Sequence, residues 1–245
     1  MKLTVLGNNG PYPKAGGACS GFLLDSGESK VVLDFGSGVL SRLQQFIDIE
    51  DITAIILSHL HGDHIGDISV LRYAADIKLM KGRMEKPIKI YAPSEPAEEF
   101  ERLKYKKALE VIAINPAEML LIGDLRISFR EMVHSYKNYA VCVEKSLRRF
   151  VYSGDTCMND GIIEFARNAD LFLCEAGLLE RDDKCIRAMH LTAREAAQIA
   201  EDAGAKRLLL THFLPGTNPE HYINEATSVY NGIMELAGEN KSYFI

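Results

Sequence analysis

Residues 58–64 read Ser-His-Leu-His-Gly-Asp-His and follow an uninterrupted apolar run at 52–57. The run is short and rich in β-branched residues, so it reads as a buried strand. Gly62 permits a sharp backbone turn just past the strand. His59, His61, Asp63 and His64 therefore share one tight loop at a strand's edge, with side chains free to converge. Imidazole nitrogens and carboxylate oxygens at this density form a transition-metal ligand set. As a merely solvated loop, the same four groups would be crowded and partly desolvated with nothing gained. A fold for this chain has to deliver the end of a strand to a metal.

Three more donors share that placement. His134 follows the alternating segment 127–133, Asp155 follows 150–154 with a glycine just before it, and His212 follows 208–211. A histidine closing a single strand is more often a hydrogen-bonded structural residue. Three such donors carry more weight, because the ends of neighbouring strands lie along one rim of a fold. With the first cluster they make five histidines and two aspartates, enough for two divalent metals with one carboxylate bridging. Zinc is the first choice for a site so rich in histidine, and manganese or iron also suits the Asp/His mixture.

The chain has 245 residues, 47% of them apolar, which is ample for a sizeable core. No Ser/Pro-rich linker divides it, so residues 1–245 read as a single domain. Strand-like runs are interspersed in both halves with helical spacing at 39–47, 65–80, 96–109, 162–168, 193–203 and 219–236. That mixture predicts α/β layering, with two sheets and helices outside them. Thr192-Ala-Arg-Glu195 is a capping-box pattern ahead of an Ala-rich helix.

A net charge of −6 gives no global attraction to nucleic acid or to an anionic membrane. The basic stretch at 102–107 follows Glu98, Glu99 and Glu101 and reads as a solvated helix face. Cys19, Cys142, Cys157, Cys174 and Cys185 are odd in number and show no close pairing, a pattern suited to a reducing cytoplasm. No signal peptide and no run long enough to span a membrane stand out. His221 reads as exposed on the last helix, and Arg187 as loop charge among its charged neighbours.

The ordered set His59-x-His61-x-Asp63-His64, His134, Asp155 within Ser-Gly-Asp-Thr and His212 within Leu-Thr-His resembles the metallo-β-lactamase-fold hydrolases. The resemblance implies a four-layer αββα sandwich with a dinuclear site at one edge. By it, His59, His61 and His134 hold the first metal, Asp63, His64 and His212 the second, and Asp155 bridges. Residues 174–177, 190–193 and 210–212, with the opening 6–13 and 33–36, are similar to ribonuclease Z and related phosphodiesterases. That similarity puts His190 beside the site as a non-ligating proton donor, with Glu175 holding its tautomer. Asp63 would both ligate and orient the attacking water. A homodimer is a further expectation of the family.

One departure narrows the substrate. Ribonuclease Z proteins carry a tRNA-gripping arm inserted between the counterparts of His134 and Asp155, and only twenty residues separate those positions here. No basic residue follows shortly after His212, where the family places one. The expectation is thus an arm-lacking dinuclear hydrolase acting by metal-activated water on a small or short phosphodiester, or another ester. A tRNA 3′-processing endonuclease is the second reading, with nucleic acid as partner. A noncatalytic metal-binding or sensing protein is the third.

Overall fold

Strands that are apolar on both faces dictate a structure with more than two layers. In β2 (Gly21–Asp25), Phe22 and Leu24 point one way and Leu23 the other, and all three are buried. In β11 (Leu171–Glu175), Leu171 and Leu173 alternate in the same manner with Phe172 and Cys174. A sheet made of such strands needs cover on each face. The computed structural model of the protein describes residues 1–182 and 189–245, and it supplies that cover. Cys185 and Arg187 lie outside the described residues.

Two seven-stranded sheets face each other. The first contains β1 (Lys2–Gly7), β2, β3 (Lys30–Leu33), β4 (Ala54–Ile56), β5 (Ile88–Ala92), β6 (Leu109–Ala113) and β14 (Ser242–Phe244). Its spatial order is β14-β1-β2-β3-β4-β5-β6. The second contains β7 (Leu120–Ile122), β8 (Leu125–Met132), β9 (Asn138–Lys145), β10 (Arg148–Tyr152), β11, β12 (Arg207–Thr211) and β13 (Ile233–Leu236), ordered β13-β12-β11-β10-β9-β8-β7. From β10 to β13 the strands are parallel, so their C-terminal ends align along one rim.

The central core between the sheets joins Phe22, Val31 and Leu33 to Ile127, Phe150 and Leu209. Outside the first sheet lie α1 (Val39–Leu43), α3 (Ile68–Met80) and α4 (Ala97–Leu103), and outside the second lie α5 (Asp160–Phe165), α6 (Ala193–Asp202) and α7 (Pro219–Thr227). This is the αββα sandwich. The capping box at Thr192 and Glu195 forms at the start of α6 as the sequence predicts.

Several helices end earlier than their spacing suggests, the segment 39–47 at Leu43 and the segment 162–168 at Phe165. The segment 96–109 is helical only to Leu103; Lys104 is extended, Lys106 takes a φ of 47°, and Leu109 opens β6. The segment 219–236 is helical only to Thr227, and Ile233–Leu236 pairs in parallel with β12. The segment 65–80 divides between α2 (Gly62–Ile65) and α3. The charges at 102–107 are solvated pairs: Arg102 with Glu98 and Glu99, Lys104 with Glu101, and Lys106 with Asp76. Cys142 and Cys174 are buried and unpaired, and among the described residues no helix is long and apolar enough to cross a membrane.

Candidate metal centre

Both sheets contribute to one rim. His59, His61, Asp63 and His64 follow β4 in the first sheet, whereas His134, Asp155 and His212 follow β8, β10 and β12 in the second. The structure brings all seven together, along with Glu175 at the end of β11 and His190 just before α6. Tyr139 N–H donates to the Ser58 carbonyl at 2.9 Å and ties β9 to the histidine loop.

Each inward-facing atom is set by what lies behind it. His64 donates Nδ1–H to Asp34 Oδ2 at 2.8 Å. Ser58 Oγ donates to the same carboxylate at 2.9 Å, so the His59 Nδ1–H donates to Ser58 Oγ at 3.1 Å. His134 donates its Nδ1–H to the Met189 carbonyl at 3.0 Å. With those protons placed, Nε2 of His59, His64 and His134 each turns a lone pair inward. His61 is reversed: its Nδ1 lies 2.9 Å from His59 Nε2 and 3.1 Å from His134 Nε2. Three nitrogens converging with so few protons between them suit a cation at their centre.

The second group meets at the carboxylates. His212 Nε2 is 3.1 Å from Asp63 Oδ2 and 3.3 Å from Asp155 Oδ2. His64 Nε2 is 3.3 Å from Asp155 Oδ2, and His59 Nε2 is 3.7 Å from it. Asp155 thus reaches both groups. His64 Nε2 and Asp155 Oδ1 are buried with no hydrogen-bond partner. Such orphaned buried atoms are unfavourable unless a ligand satisfies them, and the donor set fits two divalent cations.

Burial, and then His134 beside it, pulls the His61 imidazole down to about 4, so it is neutral and free to ligate. Burial raises the Asp63 carboxyl, but His64 and His212 outweigh that and leave it below the usual carboxylate range. For His190 burial favours the neutral form, yet Glu175 overrides it and lifts the imidazole to about 9. The His190 Nδ1–H donates to Glu175 Oε1 at 3.0 Å, and that oxygen also accepts from Thr156 N–H at 2.8 Å. His190, anchored through Nδ1 to Glu175, lines the open cleft within reach of His134, Asp155 and His212. Burial and Asp63 push the Cys19 thiol up to about 12, which favours the protonated thiol over the thiolate.

Several supporting residues were not singled out from the sequence. Asp34 is fully buried in a left-handed conformation with φ 56°, and Tyr152 Oη–H donates to it at 2.7 Å. Ser58 N–H donates to Asp34 Oδ1 at 2.7 Å, so one carboxylate orients two histidines. The Tyr136 ring lies against His61 at a tilt of 38°, with centroids 4.2 Å apart. Gly10 leaves no room for a side chain, since a Cβ there would stand 2.1 Å from His212 Nε2. The available signal for Asp34 was its position: it directly follows β3, as the ligands follow their own strands. His221 is exposed on α7 and takes no part.

Comparison with known proteins places this architecture. Residues 22–213 match the beta-lactamase superfamily domain model. The chain is 36% identical to the probable metallo-hydrolase YhfI of Bacillus subtilis over all of its own length and 99% of that protein. The crystal structure of YhfI superposes with a TM-score of 0.95 at 35% identity, covering 99% of this chain and 98% of the other. A ribonuclease Z from Methanopyrus kandleri is 28% identical over 94% of this chain and 93% of its own.

Proposed function

Because this chain belongs to the metallo-β-lactamase superfamily, as a metallo-hydrolase, we propose that it hydrolyses small or short phosphodiesters in the cytoplasm, using two divalent ions, zinc first. The observation that carries this reading is the convergence of seven donors beside a histidine whose Nδ1–H is held by Glu175. When bound, the ion pair supplies Lewis-acid stabilisation of developing charge and lowers the pKa of a water molecule. His59, His61 and His134 would hold one ion, Asp63, His64 and His212 the other, and Asp155 both.

The remaining roles fall to protein groups. Asp63, held by His212 and close to His64, orients the attacking water. Glu175 keeps His190 protonated at Nδ1 and fixes its ring at the cleft wall. His190 then delivers a proton to the departing alkoxide. Asp34 acts through His59 and His64 by fixing their tautomers.

The name of the Methanopyrus relative supports processing of tRNA 3′ ends as a second reading. Against it, the interval from His134 to Asp155 is filled by the β9–β10 hairpin, which leaves no length for an arm. Pairing of two copies is supported by α3, where Val70, Tyr73, Ile77 and Met80 form an exposed stripe at helical spacing.

The test is turnover of bis(4-nitrophenyl) phosphate, nucleoside cyclic phosphates and precursor tRNA, with zinc or manganese added. The reading requires small diesters to be cleaved faster than the tRNA. Rapid, site-specific tRNA 3′ cleavage that weakens steeply with salt would replace it with the second.

A further inference from the structure

We propose that Tyr12 is a stacking platform for a planar ring on the substrate, so that this hydrolase prefers phosphodiesters bearing a nucleobase or similar aromatic group. The proposal rests on the hydrolase reading and adds a substrate class to it. Tyr12 lines the same 490 Å³ cleft as Asp63, Asp155, His190 and His212, yet the residue is 53% exposed. Among the described residues the large exposed aromatics are Tyr12, Phe46, Tyr73 and Phe244. Tyr73 packs on Tyr105 and Arg72, and neither Phe46 nor Phe244 borders the cleft. Tyr12 alone of these combines a place at the mouth of the cleft with the absence of any ring or hydrogen-bond partner.

Exposure on a loose loop would mean little, but this loop is fastened from both sides. Gly10 N–H donates to the Phe213 carbonyl at 3.2 Å, and Phe213 N–H donates to the Asn8 carbonyl at 2.8 Å. Downstream, Lys14 N–H donates to Asn9 Oδ1 at 3.3 Å and Ala18 N–H to Glu239 Oε1 at 2.8 Å. Arg42 holds that same Glu239 oxygen at 2.8 Å. Pro11 and Pro13 fix their own φ angles, and Pro13 restricts Tyr12 to extended backbone. A loop held this way loses little backbone freedom when a partner stacks on its tyrosine. The floor of the cleft is charged and its rim carries an unpaired aromatic face, which fits a ligand with an anionic part and a planar part.

Thymidylyl-3′,5′-thymidine and its base-free tetrahydrofuran counterpart contain the same type of phosphodiester. In the metal-loaded enzyme, Tyr12→Ala should raise KM for the base-bearing diester by about tenfold, the scale of one base stacked on an aromatic ring. Its kcat should change by less than about twofold, Tyr12→Phe should retain the wild-type KM, and the base-free diester should be affected far less. Equal KM changes on both diesters, or none on the base-bearing one, overturn the proposal. The chain contains no tryptophan, so Tyr12→Trp installs a single indole reporter at this position. Its fluorescence should be quenched saturably by thymidine 5′-monophosphate and not by ribose 5-phosphate. Quenching without turnover of either diester would sink the hydrolase reading and keep the platform; turnover without selective quenching would do the reverse.

Discussion

Two clefts open at opposite ends of the strands, and the larger is the less informative. One, of 650 Å³, lies beside the starts of β4 and β5, where Lys86, Lys89 and Glu110 face solvent and Glu50 pairs with Lys78 and Arg83. The other, of 490 Å³, lies past the strands' C-terminal ends and contains the histidines and aspartates. Charges in the first are paired or hydrated, as a surface requires. In the second, His64 Nε2 and Asp155 Oδ1 are buried without partners, and Asp34 and His212 occupy left-handed backbone conformations. Each such conformation costs on the order of 1–3 kcal/mol in a non-glycine residue. Size marks where the sheets fail to meet, whereas at the second cleft orphaned buried atoms and left-handed residues coincide with a ring of ligand-type side chains.

The contrast breaks most readily at Asp155. Asp155→Asn should reduce hydrolysis to background and lower metal content from close to two ions per chain, the number that seven ligands imply. Elemental analysis alongside turnover decides it; full activity with both ions retained, or wild type saturating at one ion, would remove the special status of this rim. His190→Ala comes next, with metal content intact and the rate down roughly a hundredfold. That loss should shrink for a nitrophenolate leaving group, which needs no proton, and equal losses for good and poor leaving groups exclude proton donation. Asp34→Asn should weaken metal binding by about ten- to a hundredfold, followed by competition with a chelator.

The smallest effects belong to the far end. Glu50→Gln should leave turnover within about twofold, the scatter expected of a surface pair. Asp170, near the start of β11, sharpens the point through pH. Burial raises its carboxyl, but Lys206 and the Arg149 N–H outweigh it and hold the group below the ordinary range. Its contribution to stability is therefore complete above the unfolded carboxylate pKa and lost as pH falls through the folded one. Asp170→Asn should flatten the acid limb of urea midpoints while leaving hydrolysis near neutrality unchanged; an unaltered limb would show that the pairing contributes nothing.

The rim was legible because each donor stands directly after an apolar run, and strand ends in parallel array converge whatever loops join them. Asp34 was not legible as a functional residue. A single aspartate after a strand looks like a turn residue until Tyr152, distant by 118 positions, donates to it. Two of the overlong helices fail for another reason. Residues 104–108 leave the helix for a turn at Lys106, and residues 233–236 carry apolar side chains at spacings that serve helix or strand, where only pairing with β12 decides. Tyr12 lies within the opening 6–13 that resembles ribonuclease Z, but the resemblance gave it no role of its own, because a tyrosine between prolines acquires meaning only from the loops that pin it beside the cleft.

Gly10 and Tyr12 sit two residues apart on one pinned loop and face opposite evolutionary prospects. Any side chain at Gly10 meets the His212 ring, so this position, which has no chemistry of its own, is as closed to drift as a ligand. Tyr12 is half exposed at the cleft and packs against none of the ligand rings, so exchanging it should leave the ligand frame in place. On the platform proposed for Tyr12, a lineage can retune which substrates it accepts by changes at position 12 while position 10 stays frozen. New specificities can be sampled a single substitution away without passing through an unfolded or metal-free ancestor.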